Sequence, residues 1–256
     1  MNLYFDNSLI DKYHSSSQIA RILTESWVAK NVFCPRCGNP HIYHFNNNQP
    51  VADFYCPQCQ SQYELKSKNG ILKGKVSDGA YKTMIERITS DQNPDFFFME
   101  YSRELGKVIN FMVIPKHFFI PEVIERRNPL SSTARRAGWV GCNILLDHIP
   151  QQGRIFFIKD SVPIEPQTII NNFSKSNSFY IKKLPQRCWM MDILICINQI
   201  PEQTFSLHQV YAFENILQQK HPDNHHIRPK IRQQLQILRD RGLLIFLGDG
   251  RYQKIK

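Results

Sequence analysis

Residues 51–68 read VADFYCPQCQSQYELKSK, and two kinds of chemistry overlap within this stretch. Cys56 and Cys59 form a C-x-x-C pair, the ordinary signature of a metal knuckle. Asp53 stands just before the pair, and Glu64-Leu65-Lys66 follows it. On a strand, residues two apart point to the same face, so Glu64 and Lys66 share one. If Asp53 begins the neighbouring segment, two carboxylates and an ammonium converge. Hard oxygens of this kind hold Mg2+, which neutralises charge on a scissile phosphate while Lys66 orients or helps activate the attacking water. The carbonyl of Leu65, flanked by both side chains, can add a further oxygen ligand. Read alone, the series D-x10-E-x-K equally describes charged residues solvated beside a metal turn.

Working upstream, Cys34-Pro35-Arg36-Cys37 supplies a second C-x-x-C pair, separated from the Cys56/Cys59 pair by 18 residues. Zinc imposes no ligand-field geometry, so four thiolates from two tight turns satisfy it tetrahedrally. The spacing lies within the C-x2-C-x15–20-C-x2-C range of zinc sites. His41 and His44 lie between the pairs, but four well-spaced thiols leave them unnecessary. A thioredoxin-type redox centre needs one pair rather than two, and the H-x-E partner of zinc deaminases is absent. A closed site of Cys34, Cys37, Cys56 and Cys59 is structural, and catalysis must come from other residues.

Further outward, SSSQIARILTESWVAKNVF (15–33) places Ile19, Ile22, Leu23 and Trp27 at helical spacing behind a serine cluster able to cap it. HIYHFNNNQP (41–50) reads as loop. DGAYKTMIERITSD (78–91) predicts a second helix with Tyr81, Ile85 and Ile88 on one stripe. DFFFMEY (95–101), VINFMVIPKHFFI (108–120) and RIFFIKD (154–160) are β-rich runs. Helices mixed with strongly apolar strands predict an α/β (α+β) domain over residues 1–183. Residues 160–187 hold three prolines and little period, which reads as a linker. Helical segments over 188–200, 206–219 and 225–242 follow, and then two short strands around Gly248-Asp249-Gly250. That order is the pattern of a winged helix domain, residues 184–256.

The chain carries 32 Lys and Arg against 22 Asp and Glu, a balance of +10 that favours a polyanionic partner, nucleic acid above all. Residues 220–256 hold nine of the basic residues and three acidic ones, so much of the excess lies there. In the third C-terminal helix the stripe of Ile227, Ile231, Leu235 and Leu238 leaves Arg228, Arg232, Gln233 and Gln236 off the core side. Arg pairs with guanine and Gln with adenine in the major groove. Arg251, with Tyr252 and Lys254, falls on or near the wing, where phosphate contacts are expected. No run approaches the ~18–20 apolar residues of a membrane span. The N-terminus lacks a signal-peptide pattern, so the expectation is a cytoplasmic protein without membrane association, a monomer in solution. Cysteine usage fits a reducing compartment and metal binding.

CPRCGNP, NQPVADFYC, ELKSK, DGAY, NPDFFFMEY, TARRAGW-x-GCNI and IRQQLQILRD together resemble DpnI-type restriction endonucleases, from the first helix to the last hairpin. The resemblance implies a PD-(D/E)XK nuclease domain with an embedded four-cysteine zinc ribbon and a C-terminal winged helix. It implies Mg2+-dependent cleavage of double-stranded DNA at 5′-GATC-3′ sites carrying N6-methyladenine, as a type II, methyl-directed enzyme. It makes Asp53, Glu64 and Lys66 the catalytic residues, although Ala52 replaces a literal Pro before Asp53. It also turns Arg135, Arg136 and Trp139, in a segment with two glycines, into a DNA-reading loop of the catalytic domain. A zinc-ribbon and winged-helix regulator that binds DNA without cutting it would explain the charge and the cysteines but leave the carboxylates unused.

Overall fold

Phe96, Phe97, Phe98 and Met99 follow one another in the chain, and each is at most 1% exposed. A strand can bury consecutive residues only where both faces of its sheet are covered. The computed structural model describes residues 1–45, 52–90 and 93–255, which divide into one unit over Met1–Asn177 and another over Ser178–Lys256.

The first unit runs α1 (Ser16–Asn31), β1 (Tyr43–His44), β2 (Phe54–Tyr55), β3 (Gln62–Asn69), β4 (Lys75–Ala80), α2 (Tyr81–Thr89), β5 (Asp95–Ser102) and β6 (Lys107–Ile114). It continues through β7 (Ile124–Arg126), β8 (Gly141–Leu145), β9 (Ile155–Lys159), β10 (Val162–Pro163) and α3 (Pro166–Ser176). The main sheet has the order β1-β2-β3-β5-β6-β9-β10, and a smaller sheet has the order β4-β8-β7. β3 and β5 pair in parallel, from Tyr63 opposite Asp95 to Asn69 opposite Tyr101. The other neighbours are antiparallel. A parallel pair needs a crossover, and β4 with α2 forms it.

One face of the main sheet presents Tyr63, Phe97, Phe111 and Phe157 to Leu23, Trp27 and Val28 of α1 and to Ile169 and Phe173 of α3. Tyr63 stacks on Phe97 at 4.7 Å between ring centroids, and Trp27 meets Phe111 edge-on at 5.3 Å. Such pairs add about 0.5–1.5 kcal/mol beyond their area burial. The other face carries Glu64, Lys66, Phe96 and Phe98; Phe96 packs on Phe119 at 4.4 Å.

Several elements differ from the sequence reading for identifiable reasons. Ser15 occupies the N-cap of α1, yet its side chain makes no capping bond and lies 3.0 Å from the Ser17 hydroxyl. Packing of the apolar stripe, not the cap, holds that helix. The helix expected over 78–91 begins only at Tyr81, because Lys75–Ala80 pairs with β8. Tyr43 and His44, read as loop, pair with Tyr55 and Phe54; the rest of that stretch, 46–50, lies outside the described residues. Residues 160–187 are no linker. Pro163 sits in an edge strand, Pro166 opens α3, and Pro185 stands in the first turn of the following helix. These are the positions where a missing N–H costs nothing.

The second unit comprises α4 (Leu184–Gln199), β11 (Thr204–Ser206), α5 (Leu207–Tyr211), α6 (Glu214–Lys220), α7 (Ile227–Asp240), β12 (Leu244–Gly248) and β13 (Arg251–Lys254). Residues 206–219, expected as one helix, form two, the first started by a reciprocal Ser206–Gln209 capping box. The stripe of α7 is buried as its spacing predicts. β12 and β13 form a hairpin whose turn, Gly248-Asp249-Gly250, has φ of 88°, 50° and 68°. Two glycines make that left-handed run inexpensive. Among the described residues, no helix is long and apolar enough to cross a membrane.

Candidate active site and metal centre

The two cysteine turns are built alike. The N–H of Cys34 donates to the Asn39 carbonyl at 2.8 Å and that of Gly38 returns to Cys34 at 2.9 Å. Cys56 with Ser61, and Gln60 with Cys56, repeat the pattern at 2.8 and 2.9 Å. Gly38 and Gln60 close the turns in the left-handed region, at φ of 76° and 59°. The sulfurs of Cys34, Cys37, Cys56 and Cys59 all lie within 4.8 Å of one another, and all four are free thiols. Burial pushes the Cys34 thiol up, whereas at Cys56 the N–H groups of Cys59 and Gln58 outweigh burial and bring it down to about 7. Soft ligands converging from four directions suit zinc, which such a cluster can hold. The turns are tied to the sheet at two points. The Tyr63 hydroxyl lies 3.1 Å from the Cys34 sulfur. Arg36 reaches Asp95 at the head of β5, 3.5 Å away, and covers the Phe173 ring at 5.2 Å.

That tie sets the position of Asp53. Its N–H donates to the Tyr63 carbonyl at 3.0 Å, and its Oδ2 accepts from the Leu65 N–H at 2.7 Å. Oδ1 of Asp53 has no hydrogen-bond or ion-pair partner among the described residues. Backbone groups two apart on a strand face the same edge. The Leu65 N–H and C=O therefore emerge on the edge where Tyr63 pairs with β2, just past the start of that strand. Glu64 and Lys66 share the side-chain face opposite Tyr63. Lys66 Nζ lies 2.6 Å from Glu64 Oε1 and also bonds Asp78 of β4, while Glu64 Oε2 takes Arg87 of α2. Side-chain exposure of Glu64, Lys66, Asp78 and Arg87 is only 10–17%. Burial would pull the Lys66 ammonium down, but Glu64 and Asp78 together hold it above the ordinary lysine value.

Asp53, Glu64, Leu65 and Lys66 are thus brought together around one strand. Asp78 and Arg87 join them without having been marked in the sequence. Of the two carboxylates, Asp53 keeps one oxygen open, while both oxygens of Glu64 are engaged by Lys66 and Arg87. Hard oxygens of this kind are the donors Mg2+ takes, and Glu64 would have to give up one of its ion pairs to join them.

Arg135 and Arg136 are exposed on a loop between β7 and β8, and the Arg136 guanidinium lies 4.7 Å over the Trp139 ring. The loop is pinned where Leu130 N–H donates to Trp139 at 2.9 Å and Gly138 N–H returns to Leu130 at 3.0 Å. Trp139 folds back over Gly141, where a Cβ would meet the ring at 2.8 Å. In the second unit Arg228, Arg232, Gln233 and Gln236 are exposed along α7. Arg228 is held by Glu214 at 2.8 Å, Arg232 by the Tyr211 hydroxyl at 3.1 Å, and Gln233 by Lys230 at 2.8 Å. Arg251 is exposed at the hairpin. Tyr252 is not available for phosphate contact, since it is 7% exposed and stacked on Phe205. Lys254 turns inward to the Ile200 carbonyl.

A family model described as DpnI, Dam-replacing family, matches residues 1–183. A second, described as a Dam-replacing HTH domain, matches residues 185–254. The chain belongs to the DpnI family. Membership in the DpnI family implies methylation-dependent restriction at DNA sites by a nuclease, with an HTH domain that binds DNA. The exposed basic face of α7 lies inside that HTH match.

Proposed function

We propose that the protein is a type II restriction endonuclease that cleaves double-stranded DNA at 5′-GATC-3′ sites carrying N6-methyladenine, by Mg2+-dependent phosphodiester hydrolysis. Residues 1–183 serve as a PD-(D/E)XK catalytic domain with a structural zinc ribbon, and residues 184–256 as a winged helix that reads the site a second time. The protein acts as a monomer in solution and in the cytoplasm. The observation that carries this reading is that Asp53 is bonded to the Leu65 N–H of β3, with Glu64 and Lys66 paired on either side of that residue.

Asp53, Glu64 and the Leu65 carbonyl would hold Mg2+, which would supply Lewis-acid stabilisation of the scissile phosphate. Asp53 is pre-oriented, because the Leu65 N–H fixes one oxygen and leaves the other open. The Lys66 ammonium has three N–H donors, two of which are directed at Glu64 and Asp78, so the third can hold a water or phosphate oxygen in a single place. Arg135 and Arg136 supply cations for phosphate or guanine edges, and Trp139 supplies apolar surface for a methyl group. One methyl in an apolar pocket is worth about 1–3 kcal/mol of discrimination. Reading by α7 with Arg228, Arg232, Gln233 and Gln236, and backbone contact by Arg251, multiply that preference.

The decisive experiment is incubation with Dam-methylated and unmethylated plasmid in Mg2+. Cutting of the methylated plasmid alone is expected. Equal cutting of both, or of neither, overturns the proposal, and binding without scission would mark a non-enzymatic regulator.

A further inference from the structure

The contact between Lys66 and Asp78 joins two different sheets. Lys66 belongs to β3 of the main sheet, and Asp78 to β4 of the smaller one. β4 is not a regular strand at this point: Asp78 pairs with Cys142 and Ala80 with Gly141, so Gly79 is an extra residue on the β4 side. A bulge re-aims the side chain beside it and is over-represented near active sites. Here the Gly79 N–H donates to Asp78 Oδ1 at 2.7 Å, the same oxygen that takes the Lys66 ammonium. The carboxylate is therefore fixed from its own backbone before it meets the lysine.

We infer that Asp78 is a positioning residue that sets the place of Lys66 Nζ in the reaction, a role that rests on the function proposed above. Lysine has a long stem with many rotamers, and a single carboxylate two residues along its own strand leaves it free to swing. Glu64 from one sheet and Asp78 from another define a point between them. Charges alternate along Arg87, Glu64, Lys66 and Asp78 and sum to zero in a region at most 17% exposed. Removing Asp78 leaves an excess positive charge and one anchor fewer for the lysine. β4 is also hydrogen-bonded to β8, and the Tyr81 N–H donates to Val140 at 3.1 Å, beside Trp139. The anchor of Lys66 thus stands on the sheet that carries the Arg135–Trp139 loop.

The test uses the full chain with zinc, measuring single-turnover cleavage of a Dam-methylated duplex in Mg2+ and binding of the same duplex without divalent cation. Misplacing a catalytic group by ~1 Å costs up to about 100-fold in rate. Asp78→Asn is accordingly expected to cut about 10- to 100-fold more slowly while its Kd stays within about threefold. Asp78→Glu keeps the charge but moves the carboxylate outward by one methylene, and it should fold normally yet cut at least about tenfold more slowly. Ser77→Ala, on the outer face of the same strand, should match the unsubstituted protein. A rate for Asp78→Glu equal to the unsubstituted one overturns the inference and leaves Asp78 a structural charge. So does a fall in rate and binding by the same factor in Asp78→Asn. If the unsubstituted protein leaves the methylated duplex intact, the proposed function falls first.

Discussion

At the scale of single residues, what could be read in advance was local along one strand. Glu64 and Lys66 share a face because they are two apart, which period alone shows; that Asp53 joins them followed only if it began the neighbouring segment, and it does so one hairpin away. Asp78 and Arg87 were illegible because each reaches the cluster from an element whose place depends on the crossover. Asp53→Ala and Lys66→Ala are expected to lower Mg2+-dependent cleavage by at least about 10²–10⁴-fold. Zinc content and methylated-duplex binding should persist, and normal cutting by either variant would refute the catalytic assignment. Gly141 is a second informative position. Its missing side chain leaves room for the Trp139 ring, at 2.8 Å from where a Cβ would stand. Gly141→Ala forces either the ring or β8 to move, an overpacking cost of about 1–3 kcal/mol. A lower melting temperature with weakened preference for methylated plasmid is expected, and an unchanged preference would remove Trp139 from the reading loop.

At the scale of elements, the cysteine turns flank the β1–β2 pairing and lead directly into β3. The spacing of the four cysteines was legible because a knuckle is a local structure with a fixed hydrogen-bond pattern. What hid the rest was residues with two meanings. Proline in 160–187 resembles punctuation, yet three prolines stand at an edge and at two helix starts. DGAY resembles a helix start, yet its first residues pair with β8. Structural zinc sites in small folds contribute about 10–16 kcal/mol of apparent binding free energy near pH 7. Removing the metal with a chelator should therefore unfold the segment around β1 and β2, seen as lost amide protection there, and abolish cleavage with it. Protection and cleavage both unchanged after verified metal loss would show that the turns hold without zinc.

At the scale of the whole molecule, the texture of the chain changes from aromatic strands to short helices and a terminal hairpin, and the structure divides into units over Met1–Asn177 and Ser178–Lys256. Its charge of +10 is unevenly spread, and binding should weaken with salt by a log–log slope of about −0.9 for each phosphate neutralised. Arg251→Ala is expected to flatten that slope by about one, for methylated and unmethylated duplexes alike. Arg232→Ala, in α7, should instead cost about 1–3 kcal/mol at the methylated site and little elsewhere. Identical behaviour of the two variants in a salt titration would mean that α7 reads no bases. The parallel pairing of β3 with β5 has a consequence for how the chain matures. Those strands can meet only after the crossover through β4 and α2 has looped out and returned, a non-local closure that is slow compared with forming the cysteine turns. β4 and α2 of that crossover supply Asp78 and Arg87. A chain still leaving the ribosome can hold its cysteine turns long before Asp78 and Arg87 reach Glu64 and Lys66, so the proposed cleavage centre would stay silent until the fold is complete.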